Sequence, residues 1–518
     1  MANTTPSPAP APVKRPFGLR DKIGYMFGDF GNDFTFLLQS MFFMLFYTNV
    51  VGINPAHVGT LLLAARIVDG FTDVGMGIIV DKLPVKSGKD KFRRWIKYIM
   101  IPVAVASSLM YMSFVADFGS YTAKLVWMCA TYFLWGSICY TAINIPYGSM
   151  ASVISASPDD RSQLSVFRST GGALAQMFIM AVMPMIVYSK NEAGQAILDG
   201  SKMTLGAVFC SVAAVICYLV CYFNVQERVH EGDNPADKKQ EEKHSIGEML
   251  KAVLTNRALG GLIAAALLLL LSSLFLLGMV GYIFLSYFND GKLQTAGALA
   301  GLVPPLILIV LAPIMAKKWG KAEVATVAML SAGAVFIIAW VLHIKIAWLW
   351  IVFYAVGSFC IAIFNYLVWA FITDVIDYQE VVSGYRDDAT VYSVYSWARK
   401  LGQALAGGLT GWTLDWIGYD SDAAKAGAAQ LPEVLDKLYM LANLLPGVGF
   451  VLVGLALWFL YPLKKKIVQV NVVELESRRA QVAAQQTPVS ASGNATTDQA
   501  NQQIPDSAPD NQSNGKNV

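Results

Sequence analysis

Ala65-Arg66-Ile67-Val68-Asp69-Gly70-Phe71-Thr72-Asp73 sets one base and two acids inside an apolar run that extends from about 56 to 80. Arg66, Asp69 and Asp73 stand at i, i+3 and i+7, so a helix carries all three on one face. In a soluble helix such a stripe would simply face water. The rest of the chain argues against that: of its 518 residues 55% are hydrophobic and only 14% charged, against roughly 25% charged in soluble globular proteins. A bilayer-spanning helix needs about 20 mainly apolar residues, and ionisable groups retained within one are costly and therefore functional candidates.

Outward from this segment, apolar runs fall near 23–49, 97–116, 122–147, 163–188, 203–223, 259–288, 295–315, 323–342, 347–373, 390–414 and 437–462, which with 56–80 makes twelve. Basic clusters (Lys14 to Lys22, Lys82 to Lys97, Lys317 to Lys321, Lys464 to Lys466) alternate with connections at 50–56, 289–294 and 343–346 that carry little charge. The positive-inside rule then puts both termini and the charged central segment in the cytoplasm, which requires an even number of spans. The expectation is an all-α membrane protein of twelve transmembrane helices in two six-helix bundles. Its divisions are a disordered N-terminus at 1–18, bundles at 19–223 and 258–463, a central cytoplasmic loop at 224–257, and a largely disordered polar tail at 464–518. The lead from Met1 to Gly18 lacks the apolar core of a secretory signal.

Several functions are excluded by pattern. No GxxxxGK[ST] loop occurs; Gly88-Lys89-Asp90 lacks both the first glycine and the hydroxyl residue. The six cysteines lie in apolar stretches without CxxC spacing, and His57, His230, His244 and His343 do not cluster. No enzyme signature, cofactor or structural metal site is expected, and nothing points to nucleic acid. Two six-helix halves around a midplane site match the layout of the major facilitator transporters.

The intramembrane polar residues are the candidates for a site. The first helix carries Asp29, Asn32 and Asp33. At about 1.5 Å per residue, Asp33 lies roughly 15 Å from the cytoplasmic start of its run, and Asp69 and Asp73 lie roughly 17 and 11 Å from the cytoplasmic end of theirs. The three acids can therefore meet at one depth, with Arg66 too few to neutralise them. Such an excess suits a coupling cation. Asn144, Arg168, Gln176, Asn365, Lys400 and Gln403 fall on other helices able to face the same cavity, and Tyr140, Tyr147, Trp369 and Trp397 offer faces on which a pyranose can stack.

These residues resemble the glycoside-pentoside-hexuronide:cation symporters. The matching stretches are Gly28-Asp29-Phe30-Gly31-Asn32-Asp33, Ala65 to Asp73, Gly88 to Trp95, Asn144-Ile145-Pro146-Tyr147-Gly148-Ser149, Asp374 to Asp388 and Ser396-Trp397-Ala398-Arg399-Lys400, in family order over about 20 to 465. The resemblance implies that Asp33 and Arg168 bind sugar hydroxyls, that Asp69 and Asp73 with Thr72 and Thr141 form the cation site, and that Lys400 lines the C-terminal half of the cavity. Asn144, Gly148 and Asn365 depart from the family's melibiose permease, whereas the Asn144 to Ser149 run and Trp369 look more like its glucuronide and xyloside permeases. The implied function is symport of a sugar or glycoside with a cation across the cytoplasmic (inner) membrane. Sodium asks for several hard oxygen ligands, whereas a proton asks for one carboxylate. With Asn144 in place of an acid and Thr72 in place of an amide, H+ is favoured over Na+. Transport of a non-sugar solute such as an amphiphile is the alternative, with a channel or membrane enzyme more remote.

Overall fold

A computed structural model describes residues 15–486 apart from 83–89, 156, 229–255 and 384–387. The described residues are helical almost throughout. In the first half α1 (Leu19–Phe46) runs on through a π-helical turn (Tyr47–Val51). It is followed by α2 (Pro55–Lys82), α3 (Arg93–Leu109), α4 (Tyr121–Phe133) joined through a second π segment (Leu134–Tyr140) to α5 (Thr141–Ile154), then α6 (Pro158–Val187) and α7 (Gly200–Asn224). The second half holds α8 (Arg257–Tyr282), α9 (Leu293–Leu302), α10 (Leu308–Trp319), α11 (Lys321–Val341), α12 (Ala347–Ser383), α13 (Asp388–Trp416), the short α14 (Ser421–Lys425) and α15 (Pro432–Leu455). Among the described residues nine helical segments are long and apolar enough to cross a membrane. Helices α2 and α13 and the broken pair α9–α10 occupy the three remaining expected positions. A hairpin not anticipated from sequence pairs β1 (Tyr188–Lys190) with β2 (Ala196–Leu198), Tyr188 opposite Leu198.

The deciding segment behaves as its spacing requires. On α2, Ile67, Phe71, Val74 and Ile78 are exposed along one stripe, while Arg66, Asp69 and Asp73 lie on the opposite side of the cylinder at 100° per residue. Lipid takes the apolar stripe and the bundle takes the charges.

The cytoplasm-assigned end of the first half is tied by two buried acids. Asp21, fully buried, accepts from Arg15 at 2.8 Å and Arg228 at 2.9 Å, so the lead expected to be disordered as far as Gly18 is held from Arg15 onward. The carboxylate of Glu227 accepts the backbone N–H groups of Lys91, Phe92 and Arg93 at 2.7, 2.8 and 2.6 Å. It thus caps the first turn of α3 from a distant part of the chain, where the helix leaves donors unsatisfied and its dipole favours an anion. Glu227→Ala should lower stability by about 2 kcal/mol, the cost of a cap plus stranded donors. Glu227→Gln, keeping one acceptor, should lower it less. Thermal unfolding of the purified variants in detergent checks the order.

A run of hydrogen bonds joins the halves at the end bearing the 51–54 connection. Thr48 meets Tyr282 at 2.8 Å, Asn49 donates to the Tyr419 hydroxyl at 3.0 Å, Asn54 donates to Asp415 at 2.5 Å and Tyr188 donates to Gln294 at 2.8 Å. At the same end α2 and α13 cross backbone to backbone, because a Cβ at Gly411 would stand 2.6 Å from Gly59 Cα. This end of the molecule is closed.

The described start of the polar tail is helical. Helix α16 spans Lys465–Gln486, since Lys, Glu, Gln, Arg and Ala are strong helix formers and an i,i+4 pair, Arg478 to Glu474 at 2.7 Å, supports it. Residues 472–486 fall in a second unit of their own, and 487–518 lie outside the described residues. A chain stopped after Asn471 should insert and melt as the full chain does, measured by detergent-solubilised yield and midpoint; a large drop would make the tail a structural element.

Candidate functional site

A cavity of about 430 Å³ lies between the two halves, within the usual range of about 300–1,000 Å³ for ligand pockets. Helix α1 contributes Asp29, Asp33 and Gln39, α2 contributes Arg66, and α13 of the second half contributes Gln403 and Thr410. Two adjacent glycines on α6 make the acidic wall possible. A Cβ at Gly171 would lie 2.3 Å from the Met26 carbonyl oxygen, so α6 and α1 touch backbone to backbone there. A Cβ at Gly172 would lie 2.7 Å from Asp33 Oδ2 and 3.2 Å from Asp29 Oδ2, so its absence gives both carboxylates their space.

Arg168 reaches the same wall from α6. Its Nε donates to Asp29 Oδ1 at 2.9 Å, and its guanidinium lies 5.3 Å from the centre of the Tyr147 ring. Tyr147 is fully buried, stacks on Tyr25 with centroids 4.7 Å apart and donates to the Tyr25 carbonyl at 2.6 Å. It therefore supports Arg168 from behind. Tyr140 likewise stacks on Phe36, 5.8 Å between centroids, and Phe36 carries the Arg66 guanidinium at 5.3 Å.

Other expected site residues separate from this wall. Asn32 is buried, donating to Asn144 at 3.3 Å and accepting from Tyr218 at 2.7 Å, so the pair braces α1, α5 and α7. Asp69 and Asp73 do not line the cavity with Asp33. They accept from hydroxyls on the facing helix, Asp69 from Ser137 at 2.6 Å and Asp73 from Thr141 at 3.0 Å, with Arg66 3.7 Å from Asp69. Shared depth does not bring the three acids together, because Asp33 and the α2 pair address different neighbours. Thr72 donates to the Asp69 backbone carbonyl at 3.2 Å. Asn365 is exposed on α12 and does not line this cavity. The side chains of Trp369, Trp397 and Lys400 lie outside the described residues.

Sequence reasoning missed Ser137, Phe36, Gln39 and the role of Gly171-Gly172. Only the glycine pair left a signal, as two adjacent glycines inside a helix, a residue type unfavourable there unless close packing asks for it. All six cysteines are free, and among the described residues no group of three or more His, Cys, Asp or Glu is disposed to hold a metal ion.

The family model described as MFS/sugar transport protein matches residues 24–465. The chain belongs to that family. It is a family of multi-pass membrane transporters rather than enzymes, and the earlier resemblance to the glycoside-pentoside-hexuronide:cation symporters stands. The chain is 29% identical over 456 residues to the "Uncharacterized symporter YjmB" of Bacillus subtilis, covering 87% of this chain and 94% of that one. It is 28% identical over 465 residues to the "Glucuronide carrier protein homolog" of Escherichia coli, covering 89% and 96%. Among solved structures, a D-xylose-proton symporter superimposes with a TM-score of 0.58 at 15% identity over 86% of this chain and 97% of that one. That likeness establishes the major facilitator fold.

Proposed function

We propose that this transporter carries a sugar or glycoside together with a cation, H+ in preference to Na+, across the cytoplasmic membrane by alternating access. The observation that carries the reading is the cavity shared by both halves, where Asp29, Asp33 and Arg66 face one space while Asp69 and Asp73, on the same face of α2 as Arg66, accept from Ser137 and Thr141 beside it. A carboxylate accepts from two adjacent hydroxyls and a guanidinium donates to two, which suits a diol. Relatives named as a symporter and as a glucuronide carrier support the class. The basic clusters support cytoplasmic termini, in which case the closed end faces outward and the state is one shut to the exterior.

Membrane vesicles test this. Uptake of labelled methyl glycosides of D-xylose, D-glucose and D-glucuronate is followed with and without an imposed ion gradient. Gradient-driven accumulation of at least one of them is expected. Equilibration without accumulation would make the protein a facilitator, and no uptake of any would remove sugar as the substrate.

A further inference from the structure

Gln39 is 4% exposed, lines the cavity, and its Oε1 has no hydrogen-bond partner. Burying an amide oxygen unpaired is unfavourable, and native structures rarely leave one so without a role for it. Two further glutamines line the same space, Gln176 from α6 and Gln403 from α13. Three helices and both halves thus supply neutral amides to one chamber.

Gln39 stands apart from the charged wall. Along α1, Gln39 lies ten residues beyond Asp29 and six beyond Asp33, roughly 15 and 9 Å toward the closed end at about 1.5 Å per residue. Thr410 and Gly278 line the chamber side by side, with Thr410 Oγ1 already donating to the Ala406 carbonyl at 2.9 Å. Along α1 the chamber is therefore charged low down and carries an amide higher up.

Resting on the sugar reading above, we propose that Gln39, Gln176 and Gln403 form a second subsite that binds the distal, uncharged, hydroxyl-bearing end of the substrate, so that the transporter prefers a two-ring glycoside to a single ring. A primary amide offers one acceptor and two donors and pairs with hydroxyls without asking for charge. Gln39 Oε1 accepts from a distal hydroxyl, and Gln403, coming from the other half, ties that ring to the bundle that must move against α1. A substrate bridging both subsites couples occupancy to closure.

The test uses the purified full-length protein and calorimetric titration with matched pairs: methyl β-D-xyloside against xylobiose, and methyl β-D-glucoside against cellobiose. For at least one pair the wild type is expected to bind the disaccharide about tenfold or more tightly. Gln39→Leu and Gln403→Leu should each weaken the disaccharide by about three- to tenfold, one neutral hydrogen bond's worth, and weaken the monosaccharide by clearly less, so that the ratio within the pair falls. A general packing defect would weaken both members alike, and thermal melts identify a variant that fails to fold, in which case Gln403→Leu and Gln176→Leu decide. Equal wild-type affinity within both pairs, or Leu variants that keep the wild-type ratio, overturns the subsite while leaving sugar transport standing. Failure of the wild type to bind any of the four sugars overturns the sugar reading itself and the subsite with it.

Discussion

Asp33→Asn is expected to abolish glycoside binding while the protein still inserts and folds. Asp33 lines the cavity beside Gly172, and the substitution preserves volume where a Cβ at Gly172 would stand 2.7 Å away. What it removes is the charge. Hydrogen bonds to a charged acceptor are worth about 1.5–3 kcal/mol each, so two sugar hydroxyls on one carboxylate amount to a loss on the order of a hundredfold or more in affinity. Asp29→Asn is the informative contrast, since Asp29 already pairs with Arg168 at 2.9 Å. That variant should weaken binding less through direct contact and more through a misplaced guanidinium, and Arg168→Ala should resemble it. Titration of the purified variants with the best glycoside of the uptake panel measures all three. Unchanged affinity in Asp33→Asn would remove Asp33 from the site.

Much of this architecture is legible because a bilayer imposes a simple code. Apolar length gives the spans, the Lys and Arg clusters give their direction, and an acid inside a span demands a reason. What that code does not carry is which way a polar residue turns. Asn32 and Asp33 are neighbours on α1, yet their side chains part, Asn32 toward Asn144 and Tyr218 and Asp33 toward the cavity. Helical depth alone grouped Asp33 with Asp69 and Asp73, because rise per residue is fixed whereas azimuth depends on which neighbour packs where. Gln39 was invisible for the same reason, lying in an apolar run where an amide reads as neither charge nor turn. The helix at the start of the tail, Lys465–Gln486, went unread on a different ground. Composition identified it as unable to bury a core, but a helix does not need a core where its residues favour the helix and pair along it.

The coupling site should be driven by protons, with Asp73→Asn uncoupling transport rather than abolishing binding. Asp69 and Asp73 sit one turn apart on α2, each accepting from a hydroxyl of the facing helix. A sodium ion bridging them would need several oxygens arranged around one point. Ser137 and Thr141 aim their protons, not their lone pairs, at the carboxylates in this arrangement. The Arg66 guanidinium, 3.7 Å from Asp69, adds a positive charge that a metal cation must approach. A proton needs no cage. It binds one carboxylate oxygen and leaves as a neutral acid becomes an anion, a change that Arg66, shared between the cavity and Asp69, feels directly. One charge crossing 100 mV is worth about 2.3 kcal/mol, enough for roughly 50-fold accumulation of a neutral sugar; an anionic sugar carried with one H+ forfeits that electrical term and keeps only the pH gradient. The measurement is uptake in sodium-free vesicles under an inward proton gradient, against sodium at fixed pH, in wild type, Asp69→Asn and Asp73→Asn. Wild type should accumulate sugar on the proton gradient alone, and Asp73→Asn should still exchange labelled for unlabelled sugar across the membrane while no longer accumulating it. Sodium-dependent uptake insensitive to a protonophore would overturn the choice of cation, and proton-driven accumulation that survives loss of both acids would move the coupling site elsewhere.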